Sequence, residues 1–238
     1  MNMKILQELR KELKEKSSPE AKRAFRKFFK RNENIKSYGV KSGEVEKIAG
    51  KYYRKIKNLS KQEIFNLCEK LFSSKYMEEA FIASIWCQKL KNSFTKDDFN
   101  LFEKWIDKYI DNWAVCDGFC SRDISILIEK YPVCAENLKK WAKSENKWLR
   151  RASAVSLVNP AKKGKFQKEV FEVCEILLMD KEDMVQKGYG WLLKSASKGN
   201  ENKVFEYILA RKDKMPRTSL RYAVENMSPK NKATLMRK

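Results

Sequence analysis

Residues 148–157, W-L-R-R-A-S-A-V-S-L, and residues 184–193, M-V-Q-K-G-Y-G-W-L-L, decide the fold of this chain. In both stretches the apolar side chains recur at the spacing of an amphipathic α-helix. Comparable helices begin near Met77, Asn112 and Met215, each after another amphipathic helix. Because the chain has only 8 Gly and 5 Pro and few β-branched runs, the sequence predicts an all-α protein.

These second helices form a repeat. Asp117, Arg151 and Lys187 occupy equivalent positions about 35 residues apart, a period typical of HEAT or tetratricopeptide helix pairs. In such a solenoid the second helices lie side by side along a groove, so residues distant in sequence come together. We therefore predict one domain over residues 1–238, an α-solenoid of HEAT-like helical repeats with a concave basic groove.

Helix boundaries support this organisation. Ser18 caps a helix whose first turn begins with Pro19, while Ser60 and Thr95 each precede an acid by three residues. Helix ends are expected at Tyr131-Pro132, from Asn159-Pro160 through Gly164, and at Gly199-Asn200. These breaks are too short to be domain linkers, so they favour one continuous domain.

Charge indicates the class of partner. The 52 Lys and Arg against 31 Asp and Glu give a net charge of +21, which favours a polyanion. Nucleic acid fits better than a membrane, because no apolar run approaches the roughly 18 to 20 residues of a spanning helix. The N-terminus lacks the apolar core of a signal peptide, so we expect a cytoplasmic protein.

Residue types restrict the chemistry. None of the six cysteines forms a C-x-x-C pair and the chain has no histidine, so we expect neither a metal nor another cofactor. Cys87 and Cys174 lie in apolar helical patterns and are predicted to be reduced core residues. Any reaction must then use carboxylates, Lys, Tyr or Cys.

Side chains that share a helix face in successive repeats form the candidate site. They are Trp113 with Asp117, Trp148 with Arg151, and Lys187 with Trp191, followed by Arg217 and Arg221 in the last repeat. Asp117 is a single carboxylate among aromatic and cationic groups. Since it repels phosphate, binding alone does not explain it.

Spacing alone leaves a structural interpretation open. A Trp on a solenoid helix is more often a packing residue, which is what we predict for Trp86, Trp105 and Trp141. Asp117 is by default a surface acid or a structural partner of Arg151.

The segments N-W-A-V-C-D, W-L-R-R-A-S, V-Q-K-G-Y-G-W-L-L-K and M-P-R-T-S-L-R-Y-A-V-E resemble the AlkD family of DNA alkylation repair glycosylases over roughly residues 15 to 230. The resemblance implies catalytic roles for Trp113, Asp117, Arg151 and Trp191, with Arg150 as the alternative register for the arginine. The remaining groove residues are expected to bind DNA: Trp148, Arg150, Lys187, Arg217 and Arg221.

The resemblance further implies hydrolysis of the N-glycosidic bond of N3- or N7-alkylated purines in duplex DNA by a monomer. Such a base is already cationic and leaves as a neutral molecule, so no general acid is needed. Asp117 would stabilise the oxocarbenium-like sugar and position water, the two tryptophans would face the deoxyribose, and Arg151 would hold a phosphate. The lesion is then expected to be able to stay stacked in the duplex.

Two other classes of function remain as alternatives. A helical-repeat scaffold can bind damaged or branched DNA without cutting a bond, and the presence of Asp117 argues against this. An RNA-binding repeat would carry a regular polar code, whereas Asp117, Arg151 and Lys187 have unlike chemistry at equivalent positions.

Overall fold

The computed structural model describes residues 2–31, 33 and 35–237, and these residues form a succession of α-helices. In chain order the helices are α1 (Asn2–Glu15), α2 (Pro19–Arg26), α3 (Ser42–Ile56), α4 (Lys61–Ser73), α5 (Met77–Lys89), α6 (Asp98–Tyr109), α7 (Trp113–Phe119), α8 (Ser125–Lys130), α9 (Leu138–Trp141), α10 (Lys147–Val155), α11 (Val158–Lys162), α12 (Gln167–Leu177), α13 (Asp183–Gly199), α14 (Glu201–Leu209), α15 (Arg217–Ala223) and α16 (Pro229–Met236). Shorter 3₁₀-helices span Lys91–Ser93 and Pro132–Asn137, and a π-helical turn spans Cys120–Ile124.

The described residues contain no β-strand, apart from an isolated bridge between Lys36 and Tyr76. This confirms the predicted all-α class. Within the same part of the chain, none of the helices combines the length and the apolar character that crossing a bilayer requires.

The chain divides into two compact units. The first comprises the described residues of Met1–Phe94 and Lys108–Phe119, and the second comprises Thr95–Asp107 and the described residues of Cys120–Lys238. Single-domain organisation and a continuous basic groove stay predictions.

In the first unit, α5 is the central helix. It packs against α3, α4 and α7, so the second helices that begin at Met77 and near Asn112 are neighbours, as the repeat predicts. Trp86 of α5 is fully buried, and its Nε1 donates a hydrogen bond of 2.9 Å to the carbonyl oxygen of Ala49 in α3.

Two acidic residues at the start of α5 are buried. The Glu78 carboxylate accepts hydrogen bonds from the Ser37 hydroxyl at 2.7 Å and from the consecutive backbone N–H groups of Tyr38, Gly39 and Val40 at 2.9 to 3.2 Å. Its neighbour Glu79 holds the Arg10 guanidinium at 2.9 Å and the Tyr38 hydroxyl at 2.7 Å. Burial, and then the Glu79 carboxylate, raise the pKa of Tyr38. The two carboxylates thus tie α1 and the loop before α3 to α5.

In the second unit, α13 is the central helix. It packs against α10, α11 and α15, so the second helices that carry Arg151, Lys187 and Arg217 are again in neighbouring order. Gly190 permits the close approach of α15, because a Cβ there would lie 2.7 Å from the Cβ of Tyr222 and 2.8 Å from the carbonyl oxygen of Ser219.

Most predicted helix starts are confirmed. The Ser18 side chain accepts a hydrogen bond from the Ala21 N–H at 3.3 Å, and Ser60 forms a complete capping box with Glu63. At Thr95 the backbone N–H donates to the Asp98 carboxylate at 2.7 Å, although regular α-helix begins only at Asp98.

The predicted helix ends at Tyr131 and Gly199 are confirmed by the ends of α8 and α13. The end expected from Asn159-Pro160 through Gly164 is confirmed at its far side, since α11 ends at Lys162, but Asn159 and Pro160 do not themselves stop the helix. Pro160 instead lies in the first turn of α11, where its missing N–H leaves no hydrogen bond unmade, and the chain reverses at Gly164 with φ of 74°.

The predicted packing residues are in the core. Trp86, Trp105 and Trp141 are at most 1% exposed. All six cysteines are buried thiols, including Cys87 and Cys174 as predicted, and burial raises the pKa of Cys174.

Candidate active site and nucleic-acid interface

Trp113 and Asp117 lie one turn apart on α7, on the same side of that helix, and both are partly exposed. The helix starts at a side-chain cap, because the Asn112 side-chain oxygen accepts a hydrogen bond from the Val115 N–H at 3.0 Å. Val115, Cys116 and Phe119 form its buried face. Local sequence therefore presents the tryptophan and the carboxylate together on the solvent side of the helix.

Phe29 contacts Trp113, with ring centroids 5.4 Å apart and an interplanar angle of 32°. Phe29 follows α2, is 9% exposed, and also lines a cleft of about 220 Å³ rimmed by Lys22, Arg23 and Arg26. Sequence analysis missed this aromatic partner. Its sequence signal was the spacing of Phe25 and Phe29, four residues apart, which continues the apolar period of α2 past the last residue of that helix.

Arg151 is buried in α10, at 5% exposure. One of its terminal nitrogens, Nη1, donates a hydrogen bond to the carbonyl oxygen of Met184 at the start of α13. One turn further along α13, Gly188 faces the same side chain, and a Cβ there would lie 3.2 Å from the Arg151 Cγ. The orientation of Arg151 is thus set by the backbone of α13.

Arg150, the alternative register, is held elsewhere. Its Nε lies 2.6 Å from a carboxylate oxygen of Asp180, and its Nη1 donates to the carbonyl oxygens of Ser144 and Glu145 at 2.9 and 3.0 Å. Asp180 is 8% exposed at its side chain, so this is a largely buried structural tie. A DNA-binding role for Arg150 stays a prediction.

Trp148 lies in the first turn of α10 and is partly exposed. The Asn146 side chain caps this helix by accepting a hydrogen bond from the Trp148 N–H at 2.9 Å. The Lys147 ammonium lies 5.5 Å from the centroid of the indole ring. A contact between Trp148 and DNA likewise stays a prediction.

Lys187 and Trp191 lie one turn apart on α13 and are both partly exposed. The Lys187 ammonium pairs with Asp183 at 2.9 Å. Lys187 also lines a cleft of about 680 Å³ together with Arg217 and Arg221 of α15. We call this space the C-terminal cleft.

The structure therefore brings together several of the predicted residues. Within the second unit, Lys187, Arg217 and Arg221 share the C-terminal cleft, and Arg151 lies against the helix that carries Trp191. Within the first unit, Trp113 and Asp117 share one face of α7. Among the residues that the structure describes, no three His, Cys, Asp or Glu side chains gather in a group that could hold a metal ion.

Comparison with solved structures identifies the class of fold. A predicted DNA alkylation repair enzyme from Enterococcus faecalis superposes with a TM-score of 0.79 at 15% identity, covering 90% of this chain and 98% of that chain. At this identity the likeness shows a shared all-helical fold. The curated proteins contain no significant match to the sequence.

The amino-acid sequence identifies the family. Residues 9–227 match the family model described as DNA alkylation repair enzyme, which includes α7, α10, α13 and α15. This chain belongs to the DNA alkylation repair enzyme family.

Proposed function

We propose that the chain is a DNA glycosylase that hydrolyses the N-glycosidic bond of cationic N3- or N7-alkylated purines in duplex DNA. The observation that carries this proposal is the pairing of Trp113 with Asp117 on the solvent side of α7. A carboxylate kept partly exposed in a chain of net charge +21 disfavours DNA binding, so a catalytic use is the better explanation.

The reaction needs little proton transfer. An N3- or N7-alkylated purine carries a positive charge and departs as a neutral base when the bond to C1′ breaks. The bonding electrons leave with the base, and positive charge develops on the deoxyribose. The Asp117 carboxylate stabilises that charge and orients the water that attacks C1′, accepting its proton.

The aromatic and cationic residues hold the substrate in this scheme. Trp113 and Trp191 present indole faces to the sugar, whose developing cation is attracted to π-density. Arg151 binds a backbone phosphate through its planar guanidinium. Because Arg151 is buried and bonded to the Met184 carbonyl, its guanidinium is already oriented before DNA arrives, which lowers the entropic cost of binding.

Duplex binding should rest mainly on phosphate contacts with little sequence preference. The net charge and the exposed Arg217 and Arg221 support this. Affinity for undamaged duplex is expected to fall by an order of magnitude or more between about 50 and 200 mM salt.

The test of the proposal is release of 7-methylguanine from duplex DNA, followed by chromatography of the free base. We expect release from the methylated duplex and none from an unmodified duplex of the same sequence. Tight binding of the methylated duplex without base release would instead identify a non-enzymatic binder of damaged DNA.

A further inference from the structure

The C-terminal cleft is completed by a helix that lies outside the family match. The match ends at residue 227, whereas α16 spans Pro229–Met236 and contributes Lys232 and Met236 to the lining. The other lining residues come chiefly from α13 and α15. Membership of the family therefore assigns no role to Lys232.

The cleft carries an excess of positive charge. Its two carboxylates are already paired, Asp183 with Lys187 at 2.9 Å and Glu225 with Lys194 at 2.8 Å. Arg217, Arg221 and Lys232 then supply cationic groups from two helices to one space, and all three are exposed. An anion that enters the cleft would meet these groups without first displacing either carboxylate pair.

Hydrogen bonds fix the position of α16. The Glu201 carboxylate at the start of α14 accepts hydrogen bonds from the Ser228 N–H at 3.0 Å, the Ser228 hydroxyl at 2.8 Å and the Asn231 amide at 2.7 Å. Asn231 immediately precedes Lys232. Lys232 therefore lies on a helix that three hydrogen bonds hold in place beside the cleft.

The size of the C-terminal cleft suits a short segment of one DNA strand as its ligand. A volume of about 680 Å³ lies within the range of small-ligand sites, ~300–1,000 Å³, and is far too small for a duplex cross-section. Guanidinium groups match phosphate oxygens through paired N–H donors, and an ammonium adds a point charge. Thr218, which also lines the cleft, adds a hydroxyl donor.

We propose that the C-terminal cleft binds a backbone phosphate of duplex DNA and that Lys232, together with Arg217 and Arg221, is a phosphate-contacting residue. This inference rests on the DNA-binding part of the proposed function and is independent of the hydrolysis. It gives α16 a function: the helix extends the DNA contact beyond the residues that the family model matches.

The test compares two lysines on the same helix. Lys230 and Lys232 are both exposed residues of α16, but only Lys232 is among the cleft residues. Lys230→Ala and Lys232→Ala have the same net charge, so a general loss of electrostatic attraction affects both equally. Binding of a fluorescently labelled, undamaged duplex is measured by anisotropy at several salt concentrations.

We expect Lys232→Ala to weaken binding several-fold at low salt and to reduce the slope of log K against log salt by about one. Lys230→Ala should match the wild type, and Lys232→Arg should retain the wild-type slope. Equal effects of the two alanine substitutions, or no effect of Lys232→Ala, would overturn the inference.

The same experiment separates this inference from the proposed chemistry. Because the duplex is undamaged, the measurement needs no base release. If Lys232→Ala alone lowers the salt slope while the wild type releases no 7-methylguanine, the cleft assignment stands and the glycosylase proposal fails. If the wild type releases 7-methylguanine but the two alanine variants bind alike, the glycosylase proposal stands and the cleft assignment fails.

Discussion

The α7 region and the α13 region of this chain present their candidate residues in different ways. Trp113 and Asp117 reach solvent from a single short helix, and the ring of Phe29 lies against Trp113. Arg151, by contrast, is oriented by a different helix, through the Met184 carbonyl and the space left by Gly188. Substitutions on α7 should therefore act directly on the chemistry, whereas α13 can be altered to act on a side chain that is distant in sequence.

The largest effect is expected from Asp117→Asn. The change keeps the shape and a hydrogen-bonding group but removes the charge that stabilises the sugar cation in the proposed mechanism. Excision of 7-methylguanine under single-turnover conditions should slow by about 10²-fold or more. Duplex binding should be unchanged or tighter, because a negative charge near phosphate is lost.

Asp111→Asn is the matched control for that experiment. Asp111 precedes α7, has a half-exposed side chain and pairs with Lys75 at 3.5 Å, an exposed contact of little energetic weight. Its carboxylate also accepts a hydrogen bond of 3.2 Å from the Asn112 amide, which the side-chain oxygen of an asparagine can accept in its place. Its rate should stay close to the wild type. A rate within about threefold of the wild type for Asp117→Asn as well would mean that Asp117 is structural and that α7 holds no reacting group.

Substitution of the two tryptophans should have the next largest effect. A desolvated cation–π contact is worth about 2 kcal/mol, so Trp113→Ala and Trp191→Ala should each slow excision by about 30-fold. Both residues are partly exposed, so melting temperatures should change little. A fall of more than about 8 °C, beyond what about 2 kcal/mol gives in a chain of this size, would show that the ring is a packing residue.

Gly188→Ala tests the indirect control that distinguishes the α13 region. The added methyl group lies 3.2 Å from the Arg151 Cγ and 3.6 Å from its Nη1, so the arginine must shift by a few tenths of an ångström. We expect a loss of about fivefold in the single-turnover rate. An unchanged rate would argue that the orientation of Arg151 is irrelevant to catalysis.

Gly50→Ala is the control for Gly188→Ala, because it measures how replacing a helical glycine by alanine alters stability when no side chain has to move. Gly50 lies within α3, and a Cβ there would meet no atom within 4 Å. Alanine in an open helical position should raise the melting temperature by about 2 °C and leave the rate unchanged.

The smallest effect concerns the anchoring of α16 in the second unit. Hydrogen bonds from the Ser228 N–H, then the Ser228 hydroxyl and Asn231, lower the pKa of Glu201 below its ordinary value of 4.5. A lowered folded-state pKa contributes stability that is present above the unfolded value and is lost as pH falls through the folded one. Glu201→Gln should therefore melt about 2 °C below the wild type at neutral pH.

That difference should close as pH falls below 4.5 and through the lowered pKa of Glu201, because the wild-type carboxylate then becomes protonated. Glu206→Gln is the control, since Glu206 is an exposed acid on the same helix, α14. A difference that persists at low pH would show that shape, and not charge, anchors α16.

Much of this arrangement was predictable where one helix determines it. The apolar spacing around Asn112 and the four-residue separation of Trp113 and Asp117 suffice to put both side chains on the outer face of α7. The Ser60 capping box and the Asn200 cap, which accepts a hydrogen bond from the Lys203 N–H at 3.1 Å, are likewise local features.

Contacts between helices were not predictable in the same way. Arg150 and Arg151 are adjacent in sequence, and only tertiary structure sends one to Asp180 and the other to Met184. The Phe29 contact with Trp113 joins residues more than eighty positions apart. No single-helix period encodes these pairings, because they depend on how elements distant in sequence pack.

The buried carboxylates of α5 limit how far this protein could be shortened. Proteins made of repeats are often trimmed one terminal unit at a time, since each unit contacts only its neighbours. Here Glu78 and Glu79 accept their hydrogen bonds from Arg10 and from the Ser37–Val40 segment. A version lacking residues 1–40 would leave both carboxylates without these partners and would uncover the face of α3 against which α1 packs, so we expect it to lose much of the stability of the first unit. We therefore expect the N-terminal helices to be required in any minimal form of this protein.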